Sequence, residues 1–230
     1  MTDSHITFRS ASLALVRRRA LLAIIASLAA VALAPLAGCG RKAPRAQAVP
    51  RDATVLALGD SLTSGVGASA DTAYPAALAR LTGWKVVNGG ISGDTSAQAL
   101  ARLPGLLQKH NPALVIVSIG GNDFLRRQSA ATTRSNIRQI CADAQASGAQ
   151  VLLVSVPELT MMAAVGRLSD HVMYEEIASE LKVALHSKGW SGVLAQEQLR
   201  ADQIHANAAG YEAFTHGLVK SLKDAGLLAR

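Results

Sequence analysis

The sequence predicts a three-layer α/β fold, in which helices cover both faces of a five-stranded parallel sheet. Short apolar runs typical of buried strands alternate along the chain with longer segments of helical periodicity. The predicted strands are 54–58, 85–88, 113–119, 150–156 and a short one at 192–194. The predicted helices are 73–81, 96–110, 132–147, 172–187 and 206–224. This regular alternation favours parallel strands joined by right-handed crossovers, and therefore a single domain.

The first 38 residues have the pattern of a secretory signal peptide. Arg17, Arg18 and Arg19 precede an apolar run at 20–36, and small residues follow that run. A basic region, an apolar region and small residues before a cleavage point are typical of such signals. The run is also close to the length that spans a bilayer, so a transmembrane anchor is the alternative. Pro35 and the small residues favour cleavage.

The signal ends in Leu36-Ala37-Gly38-Cys39, which resembles a bacterial lipobox, where the cysteine is acylated and becomes the mature N-terminus. We therefore expect a lipid on Cys39 that anchors the protein to a membrane. Gly40 stands where an Asp is typical of inner-membrane retention, which favours the outer membrane of the bacterial envelope, facing the periplasm. Residues 39–52 have no apolar period and predict a flexible tether after the lipidated cysteine, so the folded domain is expected over 53–230.

Charge and composition argue against a nucleic-acid-binding protein. The 230 residues carry a net charge of +7, and removal of residues 1–39 leaves 19 basic and 15 acidic residues, a net charge of +4. The basic residues do not cluster, and aromatic residues make up 3% of the chain. Nucleic-acid binding favours a concentrated basic face with interleaved aromatic residues, so we expect no nucleic-acid partner.

Cysteine and histidine usage predicts neither a disulfide nor a metal site. A lipid on Cys39 leaves Cys141 without a partner, and its place in a helical pattern favours a buried, inert thiol. The histidines other than His205 show no paired metal-ligand spacing, and we assign them to surfaces and helices.

Four short blocks carry the side chains that acyl transfer from an ester requires. They are Gly59-Asp60-Ser61-Leu62-Thr63-Ser64-Gly65, Ile91-Ser92-Gly93-Asp94-Thr95-Ser96, Gly120-Gly121-Asn122-Asp123 and Asp202-Gln203-Ile204-His205-Ala206-Asn207. The first three blocks follow the first three predicted strands, and the fourth precedes the last predicted helix. Because ligands bind beyond the carboxyl ends of parallel strands, we expect the blocks to form one site.

Ser61, His205 and Asp202 are the predicted nucleophile, general base and orienting carboxylate. The Asp-x-x-His spacing brings the carboxylate beside the imidazole on a turn. A serine between a strand and a helix is otherwise typical of an N-cap, which is the alternative for Ser61. Asp60 is predicted to be a structural hydrogen-bonding residue, because the triad already has its carboxylate.

The backbone amides of Ser61 and Gly93 and the side chain of Asn122 are the predicted donors to the oxyanion. A residue without a side chain lets its N–H approach the reacting carbonyl closely. The alternatives are a simple turn glycine at 93 and a left-handed loop residue at 122. Asp94 and Thr95 are expected to cap the helix that Ser96 leads into, and Asp123 is expected to be a cap as well.

The segment Gly65-Val66-Gly67-Ala68-Ser69-Ala70 also satisfies a relaxed dinucleotide-binding pattern. That pattern requires a helix that begins at once and an acidic residue about 20 positions later. Here the helix is predicted only from residue 73, and Asn88-Gly89-Gly90 stands where the acidic residue belongs. We therefore expect no nucleotide cofactor, and no other cofactor.

In these four blocks, and over residues 54–222 as a whole, the chain resembles the SGNH (GDSL-type) hydrolase family. The stretches 59–75 and 91–104 look most like its arylesterase, thioesterase I and lysophospholipase branch. The resemblance implies a flavodoxin-like strand order and hydrolysis of aryl or acyl esters, thioesters or lysophospholipids through an acyl-enzyme. The chain departs from the family at Ala206, where a proline usually stiffens the turn after the histidine.

The sequence specifies the substrate less well than the chemistry. The resemblance places a substrate-facing loop at 157–170, where Leu159, Met161 and Met162 are predicted to line a pocket for the acyl chain. An ordinary buried helix turn explains these residues equally well. Two other functions stay open: a carbohydrate O-acetylesterase of the cell envelope, and a non-catalytic lipoprotein that uses the fold as a binding module.

Overall fold

The structure, a computed structural model, describes residues 46–158 and 168–229. Five parallel strands form one sheet in the order β2-β1-β3-β4-β5. They are β1 (Thr54–Gly59), β2 (Lys85–Gly90), β3 (Leu114–Ser118), β4 (Gln150–Val154) and β5 (Ala184–His186). This parallel sheet confirms the predicted α/β fold, and its order is the flavodoxin-like one that the resemblance implies.

Helices follow each strand and pack on the sheet. They are α1 (Ser61–Ser64), α2 (Tyr74–Thr82), α3 (Ser96–His110), α4 (Gly121–Leu125), α5 (Ala130–Ala146), α6 (Met173–Leu181), α7 (Gly189–Leu194) and α8 (Ala208–Asp224). The predicted helix at 96–110 coincides with α3, which begins with a capping box in which Thr95 accepts from Gln98 N.

The central strands are buried on both faces. All five residues of β3 are buried, as are five of the six residues of β1. Parallel strands covered by helices on both sides have this nearly continuous apolar character, which is why their positions were predictable. Beside the sheet, the Trp190 and Phe214 rings stack with their centroids 3.6 Å apart, and Tyr74 packs edge-on against both.

The fifth strand was wrongly predicted. Residues 192–194 lie in α7, and the strand is β5, inside the segment predicted as a helix at 172–187. Helix α6 ends early because Lys182 adopts a left-handed conformation (φ +55°). Glycine usually occupies that conformation at the end of a helix, so a lysine there does not mark the helix end in the sequence. His186, assigned to a surface or helix, is instead a buried strand residue.

The boundary of the domain also lies earlier than the predicted residue 53. Gln47 and Gln150 exchange two hydrogen bonds, Gln47 N to Gln150 Oε1 (2.8 Å) and Gln150 Nε2 to Gln47 O (2.7 Å). Val49 is buried, and its N–H donates to Leu227 O at 2.8 Å. The part of the predicted tether at 47–52 therefore belongs to the domain. The predicted signal peptide and Cys39 lie outside the described residues.

Across 46–158 and 168–229, no helix is both long and apolar enough to span a bilayer.

The strand order locates the site. Strand β1 lies between β2 and β3, so the chain leaves β1 on one side and returns on the other. A crevice forms beyond the carboxyl ends of the strands at such a reversal. The segments after β1, β2 and β3, which carry Ser61, Gly93 and Asn122, meet at this edge.

Candidate active site

Ser61, His205 and Asp202 form a hydrogen-bonded chain, although 144 residues separate the serine from the histidine. The distance from His205 Nε2 to Ser61 Oγ is 3.0 Å, and that from His205 Nδ1 to Asp202 Oδ2 is 2.7 Å. With Nδ1 protonated and donating to the carboxylate, Nε2 can accept the proton of the serine hydroxyl. This is the arrangement that activates a serine for attack on a carbonyl.

Backbone contacts fix the turn that carries the imidazole. Asp202 Oδ1 accepts from the N–H groups of Ile204 and His205, both at 2.8 Å. Ala201 N donates to His205 O at 2.9 Å, which closes the turn from the other side. Ala206, at the position of the expected proline, is fully buried. The turn is therefore held by hydrogen bonds and packing where the family uses a proline ring.

Asp202 is held as a carboxylate. Partial burial raises its pKa, but the hydrogen bonds from His205 and Ile204 outweigh that effect and keep the pKa below its usual value. Asp202 is therefore ionised at neutral pH, as its proposed role beside the imidazole requires.

Ser61 begins the short helix α1, and its side chain does not cap that helix. The N-cap is Asp60, whose side chain accepts from Leu62 N at 3.1 Å. The Ser61 side chain forms a hydrogen bond with His205 instead. The alternative interpretation of Ser61 as an N-cap is therefore wrong. Asp60 is 3% exposed, and burial raises its pKa to about 7, against the lowering effect of the Leu62 hydrogen bond.

Gly93 lies in the loop after β2 and Asn122 lies in α4, and Asp94 joins the two segments. Gly93 has φ +84°, a conformation that favours glycine. Asn122 lies in α4 rather than in a left-handed loop, and its Nδ2 donates to Asp94 O at 3.0 Å. The amide nitrogen of Asn122 carries a second hydrogen, and Asn122 and Ser61 line the same small cavity.

Neither Asp94 nor Asp123 is the N-cap residue of the helix that follows it or contains it. Asp123 is fully buried, accepts from Ser96 N at 2.8 Å and from the Ser96 hydroxyl, and so helps to cap α3 from the neighbouring helix α4. Asp94 is held by Arg102, with Nε to Oδ2 at 2.7 Å, while Thr95 occupies the N-cap. Arg102 also donates to Gly59 O at 2.9 Å, at the first residue of the Ser61 block.

The glycine-rich segment after Ser61 supports the histidine turn. A side chain at Gly67 (φ +92°) would come within 2.4 Å of Ala206 O and 2.7 Å of the Ala201 side chain. Tyr211 OH donates to Val66 O at 2.8 Å and ties the segment to α8. Close packing against the turn of His205 therefore accounts for a glycine that also fits a nucleotide-binding pattern.

A small apolar crevice opens beside Ser61. Its volume is about 30 Å³. Its apolar walls are Leu62, Leu125, Val156, Pro157, Leu194 and Ile204. The predicted chain-binding residues Leu159, Met161 and Met162 lie outside the described residues.

Within the described parts of the chain, no group of three or more His, Cys, Asp or Glu side chains could hold a metal ion.

Comparisons with known proteins match the part of the chain that holds this site. Residues 57–213 match the model of the GDSL-like lipase/acylhydrolase family. The chain is 38% identical over 176 residues to thioesterase 1/protease 1/lysophospholipase L1 of Escherichia coli K12, covering 74% of this chain and 83% of that protein. It is 34% identical over 178 residues to esterase TesA of Pseudomonas aeruginosa, covering 74% and 88%. A crystal structure of TesA matches with a TM-score of 0.66 and 33% identity, over 75% of this chain and 99% of that one.

Proposed function

We propose a catalytic triad for this chain, which belongs to the GDSL-like lipase/acylhydrolase family and hydrolyses ester bonds. The triad consists of Ser61, His205 and Asp202. The observation that carries the proposal is the continuous hydrogen-bonded chain from Ser61 Oγ through both ring nitrogens of His205 to Asp202 Oδ2. The three side chains meet at the carboxyl edge of the sheet, beside an open crevice.

In the acylation step, His205 Nε2 takes the proton of Ser61 Oγ as the oxygen attacks the ester carbonyl. The N–H groups of Ser61 and Gly93 and the free hydrogen of Asn122 Nδ2 donate to the oxyanion that forms. Asp202 stabilises the imidazolium. When the carbonyl re-forms, His205 passes its proton to the leaving alcohol, and the acyl group remains on Ser61.

In the deacylation step, water takes the place of the alcohol. His205 accepts a proton from the water, which attacks the acyl carbonyl, and the same three donors hold the second oxyanion. Collapse of this intermediate breaks the bond to Ser61 Oγ, which recovers its proton from His205. A thioester reacts by the same steps with a thiol as the leaving group, and a lysophospholipid with a glycerophosphate alcohol.

We propose that the acyl group enters the crevice beside Ser61 and that short chains react best. The crevice is small, about 30 Å³, and most of its walls are apolar, which favours a short apolar acyl group. Aryl acetates and other short acyl esters are therefore the expected substrates, ahead of long-chain thioesters and lysophospholipids.

The same cavity size favours a second candidate, a carbohydrate O-acetylesterase of the cell envelope. An acetyl group on a sugar meets the crevice as an aryl acetate does, and the two candidates differ only in the alcohol. Acetyl-xylan measured beside p-nitrophenyl acetate separates them, because only the carbohydrate enzyme releases acetate from the polymer at a comparable rate.

We also propose that the protein works outside the cytoplasm as a lipoprotein anchored through Cys39 to the outer membrane and facing the periplasm. The signal pattern and the Leu-Ala-Gly-Cys sequence support this proposal. Labelling with a radioactive fatty acid tests it: wild type is expected to take up label, and Cys39→Ser is expected to take up none. Label on the Cys39→Ser variant would contradict the proposal.

The triad is tested by Ser61→Ala and His205→Ala with p-nitrophenyl esters of C2 to C16 acids. We expect kcat to fall about 10⁴–10⁶-fold in each variant, with an unchanged circular dichroism spectrum. We expect the wild-type rate to be highest at C2–C4 and to fall with longer chains. Undiminished hydrolysis by Ser61→Ala would refute the mechanism, and an inactive wild type would favour the binding-module alternative.

A further inference from the structure

We propose that Asp60 is a specificity-determining residue, whose carboxyl oxygen Oδ2 forms a hydrogen bond with a hydroxyl group on the acyl part of the substrate. The inference rests on the proposed function, because it concerns the acyl group that the crevice beside Ser61 receives. Asp60 and Ser61 both line this crevice. Asp60 is 3% exposed, so an acyl group in the crevice meets the carboxyl group away from bulk water.

The reaction steps leave one polar side chain of the crevice unassigned. Among the described residues that line the crevice, Asp60, Ser61 and Asn122 have polar side chains, and most of the other walls are apolar. Ser61 is the proposed nucleophile, and Asn122 is a proposed donor to the oxyanion. In a mostly apolar pocket, a few polar groups fix the orientation and the identity of the ligand. Asp60 is the remaining group of this kind.

The two carboxyl oxygens of Asp60 have different surroundings. Oδ1 accepts from Leu62 N at 3.1 Å and caps α1. Among the residues that the structure describes, no other residue donates a hydrogen bond to Oδ2. Two side-chain atoms of the described residues are enclosed without a hydrogen-bonding partner, Asp170 Oδ1 and His186 Nε2, and Asp60 Oδ2 is not one of them. Oδ2 therefore keeps contact with the open space of the crevice.

Gly121, the first residue of α4, leaves Oδ2 uncovered. A Cβ at this position would lie 3.6 Å from Asp60 Oδ2 and 3.5 Å from Val156 Cγ1, which are ordinary contact distances. All three residues line the crevice. Oδ2 and the Val156 methyl group therefore border the same small space, which the glycine keeps open and which a methyl group would fill.

A hydroxyl group suits this position because it can both donate and accept a hydrogen bond. Burial raises the pKa of Asp60 to about 7, so both forms of the acid are present near neutral pH. The hydroxyl donates to the carboxylate and accepts from the protonated acid. A methyl group of similar size displaces water from Oδ2 and leaves that oxygen without a partner, which weakens binding. Among acyl groups of equal length, the crevice therefore favours the one that carries a hydroxyl.

The test measures kcat/KM for methyl glycolate and methyl propionate, whose acyl groups differ in a hydroxyl against a methyl group. The hydroxyl also activates the carbonyl chemically, so the glycolate-to-propionate ratio of each variant is compared with that of the wild type. Asp60→Ser keeps an oxygen to cap α1 and removes Oδ2. We expect this variant to lower the ratio about tenfold. Asp60→Asn keeps a polar atom in the place of Oδ2 and is expected to retain most of the ratio.

Two glycine variants form a matched pair. Gly121→Ala covers Oδ2 with a methyl group and narrows the crevice equally for both esters, so we expect it to lower the ratio about tenfold as well. Gly105 lies in α3, where a Cβ meets nothing within 4 Å. Gly105→Ala is therefore expected to keep the wild-type ratio.

Three outcomes would overturn the proposal. The first is an unchanged ratio in Asp60→Ser. The second is an equal loss in Asp60→Asn and Asp60→Ser, because a polar atom in this position would then not bind the hydroxyl group. The third is an unchanged ratio in Gly121→Ala, because Oδ2 would then not meet the acyl group beside the glycine. Failure of the proposed function is distinguishable, since Ser61→Ala would then hydrolyse both esters whatever ratios the other variants give.

Discussion

Asp60 makes the stability of the fold depend on pH in a direction that is unusual for a carboxylic acid. It lies buried beside the proposed nucleophile, and burial raises its pKa from 3.8 to about 7. In the unfolded chain the same carboxyl group ionises near its ordinary value. Between about pH 4 and pH 7, therefore, the folded state keeps a proton that the unfolded state has released.

The size of the effect follows from this difference in pKa. The free energy of unfolding falls as pH rises wherever the folded state binds more protons, and each pH unit contributes about 1.4 kcal/mol. Over the interval from 3.8 to about 7, the contribution of Asp60 is about 4 kcal/mol. It is fully present below pH 4 and is lost above pH 7.

The variant Asp60→Asn isolates this contribution. The asparagine keeps an oxygen to accept from Leu62 N and carries no charge, so it resembles the protonated acid. We expect the variant to match the wild type at pH 4 and to be more stable by up to about 4 kcal/mol at pH 8.

Urea unfolding at half-unit steps from pH 4 to pH 8 measures the difference. The exposed Asp71 provides the control, and Asp71→Asn is expected to follow the wild-type curve throughout. A constant difference between Asp60→Asn and wild type across the whole range would show that Asp60 does not titrate in this interval, and would refute the reasoning.

Two further predictions concern the frame of the site. Removal of the buried carboxylate in Asp123→Ala leaves Ser96 N and the Ser96 hydroxyl without their acceptor, so the free energy of unfolding should fall by about 2–4 kcal/mol in urea; an unchanged midpoint would contradict the role of Asp123. Gly90→Ala would place a Cβ 2.2 Å from Ser64 N, a backbone atom, and should lower the melting temperature by 10 °C or more or prevent folding. Its control is Gly105→Ala in α3, where a Cβ meets nothing within 4 Å; this variant should stabilise the helix by about 0.5–1 kcal/mol.

The features that the sequence predicted well are those whose signals are local. The triad turn depends on a spacing of three residues between Asp202 and His205, and α3 on the capping residue Thr95. The central strands are predictable because burial on both faces leaves nearly continuous apolar runs. Three strands that end at one edge then bring Ser61, Gly93 and Asn122 together by topology.

The features that were missed depend on contacts that no local pattern encodes. Arg102 and Arg126 reach carbonyl groups 43 and 33 residues away, and nothing in their neighbourhood distinguishes them from surface arginines. Strand β5 has three residues and follows a helix that ends at a left-handed lysine, so the helical pattern conceals it. The early start of the domain rests on Gln47, whose partner Gln150 is 103 residues away.

The pairing of Gln47 with Gln150 determines how this enzyme can be attached to a surface. Gln150 is the first residue of β4, and the Trp84 indole, just before β2, donates to Val49 O, so the polypeptide joins the body at the rim where strands start. Ser61 lies at the other rim, about 17–20 Å away for strands of five or six residues. An affinity tag, a bead or a fatty acyl group attached ahead of Gln47 is therefore joined to the domain at the rim opposite Ser61.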